Sequence, residues 1–286
     1  MKKQENIMRY DLAAAILPSR LRRIAMELPE NDRARAEEFR LRAGRCMSVL
    51  LPEGERSLEA IVTPEELETL RQGFLPVRGG FRVGLCGSAV MKDGAVTNLK
   101  QISSAVIRIS REQRGIAWDI APRLFRDGRF RSTLLLSPPG GGKTTLLRDL
   151  VRQMSGGDGV PPQRITLVDE RGEVAVMYRG QPQMDVGPRT DVLDGCPKAQ
   201  AIPMVLRAMN PQIIAVDEIT VREDLQSMAQ AAGCGVSLLA TIHAASTAEL
   251  EQKPLYRELL ANRVFRQAVL IRVTPEGRTY TVEDLP

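Results

Sequence analysis

The sequence has few of the residues on which several kinds of active site depend. It contains a single histidine, His243, in 286 residues, which excludes multi-histidine metal sites and makes any serine or cysteine triad depend on that residue. Aromatic residues make up 4% of the chain, so broad stacking platforms for nucleobases are not expected. The four cysteines form no CxxC pair, and we expect them to be reduced thiols of a cytosolic protein.

Long apolar runs are also missing from the sequence. No segment approaches the roughly 20 apolar residues that a membrane-spanning helix needs. Polar residues follow Met1-Lys2-Lys3, where a signal peptide would be apolar. We therefore expect any role at a membrane to be peripheral.

The charge is distributed unevenly along the chain, whose formal net charge is +5. Residues 1–131 carry 24 Lys and Arg against 17 Asp and Glu, whereas residues 132–286 carry 16 against 18. This asymmetry predicts two domains with different partners. The basic half is suited to nucleic acid, anionic lipid or an acidic protein surface, although a solvated Arg-rich surface explains it equally well.

The pattern of apolar residues changes near a polar stretch at residues 126–129. Before it, a mixture of helices and strands predicts a smaller α+β domain over residues 1–131, with a strand pair in 36–51, a β-meander over 80–109 and a helix over 115–125. After it, strands at 132–137, 164–169, 212–217 and 236–242 alternate with helices at 143–154, 197–209, 221–232 and 247–263, and a hairpin follows. Such alternation predicts a parallel sheet with helices on both faces over residues 132–286.

A phosphate-binding loop is predicted at Ser137–Thr144, since this glycine-rich segment follows a strand and opens a helix. Backbone N–H groups of such a loop surround phosphate oxygens, and the helix adds the positive end of its dipole. Lys143 would reach the β- and γ-phosphates, and the Thr144 hydroxyl would bind Mg²⁺. Ser137 stands where the usual pattern has glycine. The expected nucleotide-binding residues are Pro139, Gly140, Gly141, Gly142, Lys143, Thr144 and Thr145.

Acidic residues end two of the predicted strands, and the lone histidine ends a third. Asp217 and Glu218 resemble a Walker B motif, with Asp217 near Mg²⁺ and Glu218 activating water. A capping box at 220–223 leaves both carboxylates available. Asp169-Glu170 and His243 should lie at the same sheet edge. The alternatives are ordinary surface charge for the acidic pair and a structural role for His243.

These segments together resemble a known family. Residues 165–170, 210–219 and 239–244 are similar to the Asp box, Walker B motif and His box of the secretion and pilus-retraction ATPases. The resemblance is closer to the sporulation stage III AA family of endospore-forming bacteria. The residues that carry it are 38–44, 80–87, 102–104, 107–109, 138–150 and 185–194.

The resemblance implies a cytoplasmic ATPase with a RecA-like core, ATP and Mg²⁺ as cofactors, and a homo-hexameric ring. It also implies docking on membrane-embedded sporulation channel proteins at the inner face of the mother-cell membrane. Catalytic roles follow for Lys143, Glu218, Glu170 and His243, and Mg²⁺ contacts for Thr144 and Asp217. Asp217 departs from the pilus-retraction pattern, which has glycine there, so the division of labour between Glu170 and Glu218 stays open. A neighbouring subunit's arginine would complete the site, with Arg40, Arg42, Arg82, Arg108, Arg189 and Arg222 as candidates.

Three functions are compatible with these patterns. The leading hypothesis is Mg²⁺-dependent ATP hydrolysis that powers or assembles a secretion channel between mother cell and forespore. The alternative is a nucleic-acid-dependent RecA-like ATPase, because residues 1–131 are basic, although the few aromatic residues make nucleic acid a less expected partner. A nucleotide-regulated scaffold without turnover is the third, and the Asp217-Glu218 pair speaks against it.

Overall fold

The computed structural model describes residues 2–72, 80–109, 112–274 and 277–286. It divides the chain into two compact units, Met1–Arg111 with Tyr178–Gln183, and Glu112–Met177 with Met184–Pro286. These units divide near residue 111, whereas the sequence analysis places the boundary after residue 131. The physical reason is apolar packing, because Ile120 and Leu124 are buried in the same cluster as Leu135 and Leu146 of the second unit.

Residues 2–109 of the first unit contain four helices and five strands among those that the structure describes. They are α1 (Lys2–Ala14), α2 (Ser19–Met26), α3 (Glu30–Arg33), β1 (Glu38–Arg42), β2 (Cys46–Leu51), β3 (Gly54–Ile61), α4 (Pro64–Gln72), β4 (Arg82–Lys92) and β5 (Ala95–Arg108). The strands form a sheet in the order β3-β2-β1-β5-β4, in which all neighbours are antiparallel. This arrangement agrees with the predicted α+β domain.

Local signals in the sequence explain several of these elements. Thr63 and Glu66 form a capping box at the start of α4, with each side chain bonded to the other's backbone N–H at 3.3 and 3.0 Å. In β1, Phe39 is buried while Glu38 and Arg40 are partly exposed, as the two-residue period of a strand requires. Phe39 packs on Tyr10 with ring centroids 4.9 Å apart.

The second unit is an α/β layer structure, although segment 178–183 among the elements that follow belongs to the first unit. After a 3₁₀ turn at Ala121–Leu124 come β6 (Phe125–Arg126), β7 (Arg129–Phe130), β8 (Thr133–Leu136), α5 (Lys143–Gly156), β9 (Ile165–Asp169), β10 (Met177–Tyr178), β11 (Gln181–Pro182), β12 (Thr190–Asp194), α6 (Lys198–Ala208), β13 (Ile213–Val216), α7 (Arg222–Gly233), β14 (Ser237–Ile242), α8 (Thr247–Gln252), α9 (Pro254–Ala261), β15 (Gln267–Thr274) and β16 (Gly277–Asp284). The turn of the last hairpin, at 275–276, lies outside the described residues.

Two predicted helices differ from the structure. Residues 115–125 form turns and the short 3₁₀ segment, because Pro122 has no N–H with which to continue an α-helix. The predicted helix over 247–263 is divided into α8 and α9 at Pro254, which takes the first position of α9.

The seven-stranded sheet has the order β12-β9-β13-β14-β8-β15-β16, and only β16 is antiparallel to its neighbour. One apolar cluster contains Leu146 and Leu150 of α5, and the other contains Ile202 of α6 and Leu225 of α7. Both faces of the sheet are therefore covered by helices, as predicted. Strands β8, β9, β13 and β14 run in parallel, so the segments that follow them meet at one edge. Within the described ranges, no helix has the length and apolarity needed to cross a membrane.

Candidate functional site

The loop between β8 and α5, where the sequence predicts a phosphate-binding loop, contains two glycines in the left-handed region of backbone conformation. Gly140 and Gly142 have φ angles of +76° and +99°, a region that favours glycine. Gly142 precedes the first residue of α5, Lys143, so the loop leads into the helix where the sequence predicts it. Backbone N–H groups in the first turn of α5 are thus available for an anion.

The serine that replaces the usual first glycine packs beneath the loop. Ser137 is 1% exposed, and its hydroxyl donates a hydrogen bond of 2.8 Å to the Pro138 carbonyl. A Cβ atom on Gly141 would lie 1.6 Å from the Ser137 Oγ. The substitution is therefore compatible with the loop, but it makes glycine obligatory at position 141.

The loop lysine is folded back onto the loop itself. Lys143 is buried, and its Nζ donates to the carbonyl oxygens of Ser137 and Pro138 at 3.0 and 3.2 Å. The same Nζ lies 2.8 Å from Nδ1 of His243. Burial lowers the pKa of Lys143, and the charges of Glu218 and Asp217 act in the opposite direction.

The Lys143 ammonium determines which atoms donate and which accept in the hydrogen bonds from His243 to Glu218. Because an ammonium group only donates, His243 accepts at Nδ1 and carries its proton on Nε2. The Nε2 atom lies 2.9 Å from Oε1 of Glu218, to which it donates. The second oxygen of Glu218 accepts from the Arg171 guanidinium at 3.1 Å. A continuous chain, Lys143–His243–Glu218–Arg171, thus joins the loop to the predicted catalytic carboxylate.

Asp217 faces a different partner from its neighbour Glu218. It is 8% exposed and accepts a hydrogen bond of 3.1 Å from the Thr241 hydroxyl. Burial raises the pKa of Asp217, and the Thr241 bond partly offsets this effect. Among the described residues no cluster of three or more His, Cys, Asp or Glu could hold a metal ion by itself. A carboxylate and the Thr144 hydroxyl still fit Mg²⁺, which prefers oxygen ligands and takes many of them from phosphates and water.

The acidic pair after β9 is engaged elsewhere. Asp169 is fully buried and accepts backbone N–H bonds from Glu173, Val174 and Ala175 at 2.8 to 3.0 Å, which fixes the following loop. Glu170 forms an ion pair with the buried Lys198, and this bond lowers the pKa of Glu170. The structure thus brings Lys143, His243 and Glu218 together and pairs Glu170 with Lys198.

Two arginines at the site were not singled out from the sequence. Arg171 directly follows the Asp169-Glu170 pair, a position that could have drawn attention to it. Arg278 lies on β16 and donates from Nε to the Gly141 carbonyl at 3.0 Å. No local signal marks it, because the two residues are 137 positions apart.

The arginines proposed to act on a neighbouring subunit's nucleotide have partners within the chain. Their contacts are Arg40 and Arg108 with Glu38, Arg42 with Glu55, Arg222 with Glu258, and Arg189 with the Ser155 carbonyl. The side chain of Arg82 lies outside the described part of the chain. These contacts do not select one candidate.

The capping of α7 differs from the prediction in one detail. Asp224, rather than Glu223, accepts from the backbone N–H groups of Thr220 and Val221 at 3.2 and 3.4 Å. The cap is still supplied from within the segment that follows the strand, so Asp217 and Glu218 are not needed for it.

Known structures share this fold. The Legionella pneumophila ATPase DotB has a TM-score of 0.58 and 14% identity, over 87% of this chain and 76% of that chain. The pilus retraction motor PilT with bound ADP has a TM-score of 0.56 and 15% identity, over 87% and 79% of the two chains. At these identities the likeness establishes the shared α/β fold alone.

The family follows from sequence comparison. The model for the family described as sporulation stage III, protein AA, matches residues 1–283, and the chain belongs to that family. It is 35% identical to stage III sporulation protein AA of Bacillus subtilis (strain 168), over 95% of this chain and 94% of that protein. The resemblance inferred from the motifs is confirmed.

Proposed function

We propose that this protein is a Mg²⁺-dependent ATPase of endospore formation. The observation that carries the proposal is the chain of contacts from Lys143 through His243 to Glu218, beside a loop built to bind phosphate. These three residues come from separate segments of the sequence. Each has a part in hydrolysis: Lys143 is the cation that binds phosphate, Glu218 is the carboxylate near the attacking water, and His243 joins the two through hydrogen bonds.

The residues divide the work as follows. Backbone N–H groups at Pro139–Thr145 bind the phosphates, and Lys143 turns from its carbonyl partners to the β- and γ-phosphates. Glu218 orients and deprotonates the attacking water, with Arg171 holding one of its oxygens and His243 the other. Thr144 and Asp217 are the residues that would hold Mg²⁺, which supplies charge neutralisation when bound. We assign the carboxylate role to Glu218 because His243 links it to Lys143 of the loop, whereas Glu170 is paired with Lys198.

Steady-state turnover of the purified protein tests this assignment. We expect hydrolysis of ATP that requires Mg²⁺, and loss of turnover in Lys143→Ala and Glu218→Gln by a factor of about 10² to 10⁴. Glu258→Gln, which removes a carboxylate of a surface ion pair, is the control for the loss of a charge. Wild-type turnover in either site variant would exclude the mechanism.

We further propose that the protein forms a homo-hexameric ring on the mother-cell side of a sporulation channel. The secretion-ATPase fold and family membership support this assembly. Light scattering with and without ATP should give a mass six times the 31.6 kDa of one chain. Purified protein that stays monomeric under every nucleotide condition would contradict the ring.

The basic surface of residues 1–131 is assigned to neighbouring subunits or to the channel rather than to nucleic acid. Many of its arginines already pair with carboxylates, including Arg20 with Glu66, Arg35 with Glu53 and Arg56 with Asp32. Charge reversals on this surface should impair ring assembly or membrane recruitment in sporulating cells. Tight, salt-sensitive DNA binding with strand-stimulated turnover would favour the nucleic-acid-dependent alternative instead.

A further inference from the structure

A cavity of about 480 Å³ opens beside the phosphate-binding loop, within the second unit. Its volume lies within the range of small-molecule sites. Gly142 and Thr145 contribute the loop side of the wall, Ile116, Ile120 and Tyr280 are among its apolar residues, and Gln113 and Asp119 are among its polar ones. Nothing in the chemistry described above uses this space.

The direction of a bound nucleotide follows from the positions of the charged residues. Lys143, His243 and Glu218 are linked together and define the end of the loop where the terminal phosphate reacts. The cavity is lined instead by Gly142 and Thr145, on either side of Lys143 and Thr144 in the sequence. A triphosphate whose reacting end lies at Glu218 would therefore extend its other end toward the cavity, where Ile116 and Tyr280 offer apolar surface to a flat base.

Arg278 lies where the loop and the cavity meet. Its Nε donates to the Gly141 carbonyl, and it also lines the cavity. A Cβ atom placed on Gly142 would approach the Nε, Cδ and Cζ atoms of Arg278 to between 2.8 and 3.4 Å, so the guanidinium lies against the loop backbone. The Nη atoms carry the other donors of a group that is well suited to phosphate.

We propose that Arg278 binds the non-transferred phosphates of a nucleotide in the same chain, and that the cavity beside it takes the nucleoside. The carboxyl-terminal hairpin, β15–β16, is then part of the nucleotide site. This inference rests on the proposed function, since it assumes that the loop binds a nucleoside triphosphate.

Calorimetric titration of the full chain with ATP and with inorganic tripolyphosphate tests the inference. Arg278→Ala should weaken the binding of both ligands by roughly 10- to 100-fold, as expected for a lost charged hydrogen bond. Ile116→Trp, which fills the cavity, should weaken ATP binding by a similar factor and leave tripolyphosphate binding within about threefold, because only ATP carries a nucleoside. Arg272→Ala removes an exposed arginine from the same hairpin and is the matched control.

Each result has a distinct meaning. Wild-type ATP affinity in Arg278→Ala, with binding abolished in Lys143→Ala, would overturn the role of Arg278 and leave the proposed function intact. Equal weakening of both ligands in Ile116→Trp would overturn the assignment of the cavity. Absence of ATP binding by the wild-type protein would overturn the proposed function and the inference together. Thermal unfolding of each variant identifies a loss of affinity that comes only from unfolding, and Arg278→Lys should then restore part of the binding.

Discussion

At the scale of single residues, two neighbouring carboxylate pairs have separate roles. Asp217 and Glu218 follow β13 and face Thr241 and His243. Asp169 is the last residue of β9 and is held by backbone N–H groups, and Glu170 comes directly after it and is held by Lys198. The sequence places both pairs at one sheet edge but does not separate their roles. That separation depends on Lys198, which is 28 residues away from Glu170 along the chain.

Glu170→Gln should reduce stability rather than turnover. The variant leaves the Lys198 ammonium, with 4% side-chain exposure, without its carboxylate partner. Because Glu170 itself is 36% exposed, we expect a loss of about 1–3 kcal/mol in the free energy of unfolding, less than for a fully buried pair. Urea unfolding measures this loss, and kcat below the melting transition should stay within about threefold of wild type.

Comparing the Glu170→Gln and Glu258→Gln variants tests whether Glu170 has a structural or a catalytic role. Glu258→Gln, at an exposed ion pair with Arg222, should change stability by less than about 1 kcal/mol. If Glu170→Gln keeps full stability but loses as much turnover as we expect of Glu218→Gln, the catalytic role belongs to Glu170.

Asp217→Asn should stabilise the protein at neutral pH when it is measured without Mg²⁺ and nucleotide. Burial raises the pKa of Asp217 above its ordinary value of 3.8, so between these two values the folded state holds a proton that the unfolded chain has released. The free energy of unfolding therefore falls as pH rises through this window, and the cost persists above it. The asparagine variant lacks this dependence, and its stability advantage should grow with pH and then become constant.

Chemical unfolding at a series of pH values checks this sign, with the exposed Asp191→Asn as the matched control. The Asp217→Asn variant should also need more Mg²⁺ for half-maximal turnover, because it loses the carboxylate that would lie near the metal. A stability advantage that shrinks as pH rises would show that burial does not control this group.

At the scale of elements, we expect a substitution at Gly141 of the phosphate-binding loop to abolish ATP binding and a second substitution at Ser137 to restore it. Gly141→Ala would place Cβ 1.6 Å from the Ser137 Oγ, so we expect loss of ATP binding and roughly 1–3 kcal/mol of stability. Adding Ser137→Gly removes the clashing atoms, and Gly141 has no positive φ to penalise alanine. The double variant should therefore recover binding, as measured by calorimetry.

Gly142→Ala provides the contrast for this rescue. Its φ of +99° and its contact with Arg278 are unaffected by position 137, so Ser137→Gly should not restore it. If the double variant at 137 and 141 binds no better than Gly141→Ala alone, the clash with Ser137 is not the reason that glycine is needed.

The same scale shows which elements could be predicted from the sequence. The buried strands β8, β13 and β14 are apolar runs, and the helices after them begin within one or two residues of the predicted positions. Strand β12 was not predicted because it is an edge strand whose aspartates interrupt the apolar pattern. The loop, Lys143, Glu218 and His243 could be found because each ends or follows a predicted strand. Arg278 could not, since its contact depends on the hairpin folding back to the loop.

At the scale of the whole molecule, the boundary between the two units has a consequence for truncation. Segment 112–131 contributes Ala117, Ile120 and Leu124 to the core of the second unit, and the Ala117 N–H donates to the buried Asp149 carboxylate at 2.9 Å. A fragment of residues 112–286 should therefore unfold cooperatively at a higher temperature than one of residues 132–286. Scanning calorimetry of the two fragments measures this, and equal melting temperatures would restore the boundary expected from sequence.

The single histidine has a practical consequence for spectroscopy. Since the protein holds one imidazole, the resonances of His243 need no assignment by mutagenesis. Lys143 donates to Nδ1 of His243, so a phosphate that draws the lysine away would remove that hydrogen bond and shift the resonances of the imidazole ring. The NMR signals of the imidazole thus report whether phosphate is bound at the loop. They would do so in each subunit of an assembly without a probe attached to the chain.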